Sequence, residues 1–155
     1  MPSNELGGVK VHWAKGTLGL AIATAAAWVA VAGARARAET ELEGTWLANA
    51  ATVAGEAAPQ IIDQRLSFKG DRFQIVKDGD LLYGGGFSVD AAAEPSIIRF
   101  DQNKTETLAG IWLGIYELAG DKLTICDNAP DMAKAKPESF GDCTEAGYVL
   151  IHFTR

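Results

Sequence analysis

From Gly44 onward, short runs rich in Val, Ile, Phe, Tyr, Trp and Thr recur about every ten residues between Gly-Asp or Asp-Gly signals, the pattern of antiparallel β-structure. Eight strands are predicted, near Gly44–Val53, Arg65–Lys69, Arg72–Lys77, Leu81–Val89, Ser96–Asp101, Leu108–Leu118, Lys122–Asp127 and Gly147–Thr154. Within them apolar residues fall two apart, Leu66 and Phe68, Phe73 and Ile75, Ile98 and Phe100, Leu123 and Ile125, which gives each strand one buried face. The connections Gly70-Asp71, Asp78-Gly79-Asp80 and Ala119-Gly120-Asp121 leave room only for hairpins, because Gly and Asp readily supply positive φ. Neighbours in sequence are then neighbours in space. Such a meander keeps two bare edges unless it closes, so an all-β, eight-stranded antiparallel up-and-down barrel is expected, with an open sandwich as the alternative. Helical periodicity is hard to find; only the interval from Ala54 to Gln64, broken by Pro59, has room for a short helical turn. The excursion from Asn128 to Ala146 is the other irregular piece.

Ahead of the strands, a polar stretch with Lys10 and Lys15 precedes an uncharged apolar run, Leu18 to Ala32, the layout of an export signal. The run is shorter than the roughly 18 to 20 residues that cross a bilayer comfortably, so residues 1–38 are expected to be a cleaved signal peptide. Small-x-small motifs place the cut after Ala34 or after Ala38, with the second preferred. An uncleaved anchor through residues 18–32, flanked by Arg35 and Arg37, is the alternative. The mature domain, 39–155, is thus expected to be periplasmic or secreted. There Cys126 and Cys143 read as one disulfide, worth about 3 kcal/mol from the chain entropy of its loop. Two Cys with the single mature histidine, His152, do not form a zinc ligand set, and neither metal nor cofactor is expected.

Composition narrows the class further. A chain of 155 residues, 48% apolar and 22% charged, has room for one compact domain and no second. Residues 39–155 hold 10 basic and 19 acidic side chains, a formal charge of −9. That balance argues against nucleic acid or an anionic membrane surface as the main partner.

The first strand opens as Leu42-Glu43-Gly44-Thr45-Trp46 and the last closes as Tyr148-Val149-Leu150-Ile151-His152-Phe153-Thr154-Arg155. Together they resemble the lipocalin-like barrels. The resemblance implies that Trp46 packs at the closed end of the barrel with a basic side chain, Arg155, across it, an arrangement worth about 0.5 to 2 kcal/mol. In chain order, Leu66 to Phe73, Gly114 to Cys126 and Lys136 to Phe140 are also similar to a family of small exported domains abundant in planctomycete bacteria. That resemblance implies a fold and a compartment but no reaction, since lipocalin-like barrels serve as carriers, enzymes and inhibitors.

No residue set for catalysis stands out, and an enzyme is not expected. His152 shares a strand face with Tyr148 and Leu150 and reads as a half-buried histidine with a hydrogen-bond partner. Gly84-Gly85-Gly86 lacks a phosphate-loop signature and reads as a strand bend. The carboxylates Asp127, Asp131, Asp142 and Glu145 cluster around the long loop without calcium-loop spacing and read as a solvated rim. Aromatic residues are the remaining lead. An eight-stranded barrel is just wide enough to be filled by side chains or to hold one small ligand, and so short a chain favours a filled interior with at most a shallow cavity. The expected function is a binding module for a small hydrophobic or amphipathic ligand, lined by Phe73, Phe87, Trp112 and Tyr116. The alternative is a protein-interaction or inhibitor module that meets an exported partner through the acidic rim and the disulfide-tethered loop, with Asp131 and Glu138 in the contact.

Overall fold

The structure is a computed structural model that describes residues 32–102 and 109–155. The expected export signal up to residue 31, and Leu108 at the start of the sixth expected strand, lie outside the described residues.

Nine strands form one antiparallel sheet: β1 (Gly44–Val53), β2 (Glu56–Ala57), β3 (Arg65–Lys69), β4 (Arg72–Lys77), β5 (Asp80–Asp90), β6 (Ser96–Gln102), β7 (Gly110–Ala119), β8 (Lys122–Asp127) and β9 (Val149–Thr154). Each strand from β3 to β9 pairs with the next, and β1 pairs with both β3 and β9, so eight strands close into a barrel. The two-residue β2 hangs from the upper end of β1. β1 bridges two neighbours because it shares its length. Its first residues, Gly44 to Leu47, pair with β3, and Leu47 to Val53 pair with β9 across a bulge between Ala48 and Ala50. The glycine triplet lies wholly inside β5, whose pairing with β4 shifts register between Ile75 and Val76.

Inward-facing side chains alternate as the pattern requires: Leu66 and Phe68, Phe73, Ile98 and Phe100, and Leu123 and Ile125 are buried, while Ile75 is partly buried against them. Aromatic rings from five consecutive strands fill the middle of the barrel. Phe68 meets Phe87 at a centroid distance of 4.5 Å, Phe73 meets Phe100 at 4.8 Å, and Phe100 meets Trp112 at 5.4 Å. Tilted and edge-to-face contacts of this kind add about 0.5–1.5 kcal/mol each beyond the area they bury.

One element was not anticipated. Residues 32–42 form an α-helix, which the strand-dominated pattern hid and the small-residue motifs masked as cleavage sites. Alanines favour it locally, and pairs Arg35–Glu39 and Arg37–Glu41, each 3.0 Å apart at i,i+4 spacing, support its exposed face. Its other face carries Ala38 and Leu42, also four apart, into the barrel core. The helix therefore runs across the expected boundary between Ala38 and Glu39 and stoppers one end of the barrel. Trp46, fully buried, donates its indole N–H to the Leu42 carbonyl at 2.8 Å. Arg155 lies over the Trp46 ring at 4.3 Å and donates from Nη1 to the carbonyls of Glu41 and Glu43. The last residue of the chain thus clasps the helix exit to the first strand. Its salt bridge to the exposed Asp121 adds little by comparison.

Cys126 and Cys143 form a disulfide, which folds the excursion after β8 back over the outer face of β7 to β9. There Ile115, Cys126, Cys143 and Tyr148 make a second buried cluster, separate from the interior. His152, expected half-buried, is instead exposed on the outer face, where its Nδ1 lies 3.1 Å from the Thr124 hydroxyl. The reason is the register: Val149, Ile151 and Phe153 take the inward positions of β9, which turns His152 outward.

Replacement of Arg155 by Ala is expected to lower stability by roughly 1–3 kcal/mol, the sum of the cation–aromatic contact and the lost carbonyl bonds. Urea unfolding at neutral pH measures it, and Arg155→Lys should restore less than half, because a single ammonium cannot both cover the indole and reach two carbonyls.

Candidate functional site at the open end of the barrel

The two ends of the barrel differ. The helix, Trp46 and Arg155 close the end where β1 begins, and no such stopper covers the end where β1 finishes among the described residues. Above the aromatic stack at that open end lies a cavity of about 360 Å³. Trp112 and Tyr83 form its floor, their rings edge-to-face at 5.9 Å, and Val53, Ile75, Val149 and Ile151 form its walls. The sequence alone favoured a filled interior, and the barrel is filled only in part. Rings occupy the middle, whereas the uppermost inward layer is built largely of Val and Ile, too small to meet across the barrel.

The one charged group in this lining is Asp127, the last residue of β8. Inward alternation places it there: Leu123, Ile125 and Asp127 follow one another on the same face. Gly114 stands opposite as its partner across the ladder, and a β-carbon on Gly114 would come within 2.5 Å of the Cys126 carbonyl oxygen and 2.7 Å of the Asp127 β-carbon. The bare backbone of Gly114 is what lets β7 and β8 approach here. The next residue, Asn128, locks the end of the hairpin. It accepts the Leu113 N–H at 2.8 Å through Oδ1 and donates from Nδ2 to the Lys134 carbonyl.

Asp127 is only 5% exposed. Its Oδ1 accepts the Ala129 N–H at 2.9 Å, which starts the turn that carries Ala129 and Pro130 to the cavity rim. The second oxygen has no donor among the described residues and is not itself sealed off, since no fully buried side-chain oxygen among them lacks a partner; it faces the cavity. Burial in apolar surroundings pushes the carboxyl up to about 7, against a smaller opposing effect of the Ala129 hydrogen bond. The other loop carboxylates behave differently. Asp131 Oδ1 accepts the Ala133 N–H, and Asp142 Oδ2 accepts the N–H groups of Glu138 and Ser139, which hold the Asp142 carboxyl below its ordinary range. They cap turns, as short acidic residues in loops do.

Of the four aromatics expected to line a ligand site, Trp112 alone reaches this cavity. Phe73 and Phe87 are buried in the stack beneath it, because their inward positions fall at mid-barrel. Tyr116 lies at the opposite end, beside a more polar groove that also holds Glu41, Glu94 and Ser96. Burial raises its phenol, against a lowering hydrogen bond from Ser96. Asp127 was visible in the sequence only as one member of a loop cluster. The signal that separates it from the others is its position two residues beyond Ile125, an acid in the inward register of a strand.

Comparison with protein-family models, with curated proteins and with solved structures finds no match. Among the described residues, no helix is long and apolar enough to cross a membrane, and no three His, Cys, Asp or Glu side chains converge as a metal would need.

A carboxyl raised by burial opposes folding as it ionises. Below the ordinary carboxylate range it is protonated whether the chain is folded or unfolded, and the penalty is absent; it grows as pH rises and is complete above about 7. Asp127→Asn keeps the acceptor for Ala129 and removes the charge. It is therefore expected to match the wild type in urea unfolding near pH 4 and to exceed it by roughly 2–4 kcal/mol at pH 8. Equal stability differences at the two pH values would show a carboxyl open to water.

Proposed function

We propose that this protein is an exported, lipocalin-like binding module that takes a small hydrophobic or amphipathic molecule into the open end of its barrel. The observation that carries the reading is an apolar cavity seated on a packed aromatic floor. Ligand sites are mostly apolar concavities of roughly 300–1,000 Å³ with a few fixed polar groups, and this cavity falls at the small end of that range. Its occupant would be about ten to fifteen non-hydrogen atoms in size. Export is supported by the Cys126–Cys143 disulfide, a bond that persists in oxidising compartments, and by the signal-like layout of the N-terminal sequence. The alternative, recognition of a protein partner through the acidic loop, has less behind it, since Asp131 and Asp142 are already engaged in capping turns.

Titration of the purified protein with decanol is expected to change Trp fluorescence saturably, through Trp112, with Kd on the order of 10–100 µM. Val149→Phe, which fills the cavity, should abolish that change while circular dichroism stays the same. No change in the wild type, or the same change in Val149→Phe, would overturn the reading.

A further inference from the structure

We propose that the open-end cavity selects amines: its ligand is a small apolar molecule whose ammonium group pairs with the Asp127 carboxylate. This rests on the open-end binding reading and adds the chemistry of the ligand's head. Asp127 is almost completely buried, one of its oxygens is held by the Ala129 N–H, and the other meets the cavity with no donor among the described residues. No Lys, Arg or His belongs to the lining. From β5 the only ionisable group there is the Tyr83 phenol; β7 contributes Trp112, β9 contributes Val149 and Ile151, and the segment before β3 contributes Ile61 and Gln64, none of them charged.

An unpaired carboxylate in such surroundings is costly, and only a few partners relieve it. A ligand carboxylate would add like charge beside it. An alcohol donates one hydrogen bond but leaves the charge uncompensated. An ammonium group supplies the opposite charge and three donors, and Gln64 and Tyr83 offer further oxygen acceptors in the same lining. The acidic balance of residues 39–155 favours the approach of cations over anions. The raised affinity of the Asp127 carboxyl for a proton, caused by its burial, agrees with this geometry.

Three probes with the same ten-carbon chain separate the head group from the cavity: decylamine, decanol and decanoate, titrated calorimetrically into the full-length protein. At pH 8 decylamine is expected to bind at least about tenfold more tightly than the other two. Asp127→Asn should remove that preference while decanol affinity changes by less than about threefold, which shows an intact cavity. Lowering the pH to 5.5 should weaken decylamine about tenfold in the wild type, as protons compete for the carboxylate, and leave decanol unaffected. If decanol binds and decylamine binds no better, the amine assignment fails while the cavity reading stands. If none of the three binds the wild type, the cavity reading itself fails, and the assignment with it.

Discussion

The pairing of β1 with β9 is the constraint on which the rest of the molecule depends. Without it the sheet would be an open meander with two long edges and no interior; with it, one face of every strand is turned into an enclosed space. β1 makes closure possible by serving two neighbours, with a bulge between Ala48 and Ala50 that bends it from one to the other. The small side chains Ala48 and Ala51 on its inward face leave room for the aromatics supplied by the strands opposite. At the end where the ring is stoppered, Trp46 and Arg155 join the first strand to the last residue, so the same closure is made twice, once by backbone and once by side chains.

Closure also explains why the interior is packed at one level and hollow at another. Five aromatic rings from β3 to β7 meet at mid-barrel, where they touch across the full width. The layer above is mostly Val and Ile, with Tyr83 and the edge of Trp112 beneath, and these cannot span the same distance. What remains is a mostly apolar pocket with a single carboxyl at its wall, kept there by a glycine across the ladder and by the Asn128 clamp that fixes the end of the hairpin. The disulfide acts from outside: it holds the excursion after β8 against the barrel, so that its first turn forms the cavity rim rather than swinging free.

Much of this was legible in the sequence. Period-two alternation located the strands, four of them residue for residue, and Gly-Asp turns dictated a meander whose bare edges argued for closure. The disulfide followed from two cysteines and an export-like leader. The helix over residues 32–42 was not legible, because about three turns rich in Ala, Arg and Glu carry no amphipathic stripe beyond Ala38 and Leu42, and the same small residues resemble a processing site. His152 shares its face with Tyr148 and Leu150 and has a hydrogen-bond partner in Thr124, as expected; its exposure was missed because the inward register of β9 depends on its pairing with β8 and β1, which a single strand does not reveal. Of the residues expected to line a ligand, Trp112 borders the open-end cavity and Phe73, Phe87 and Tyr116 do not; aromatic content pointed to the barrel interior, but depth along the axis emerges only when strands are staggered against one another. Asp127 could have been found by extending the alternation of β8 by one step.

A barrel stoppered at one end, filled at its waist and hollow at its mouth has the shape that the proposed binding of a small molecule requires, and Asp127, with no salt-bridge partner among the described residues, is the proposed contact for its polar part. The most direct measurement is a crystal structure of the protein grown with decylamine. The account predicts the alkyl chain in contact with Tyr83 and Trp112 and the nitrogen within hydrogen-bond distance of the Asp127 carboxyl. An empty cavity, or a chain seated elsewhere on the barrel, would contradict it.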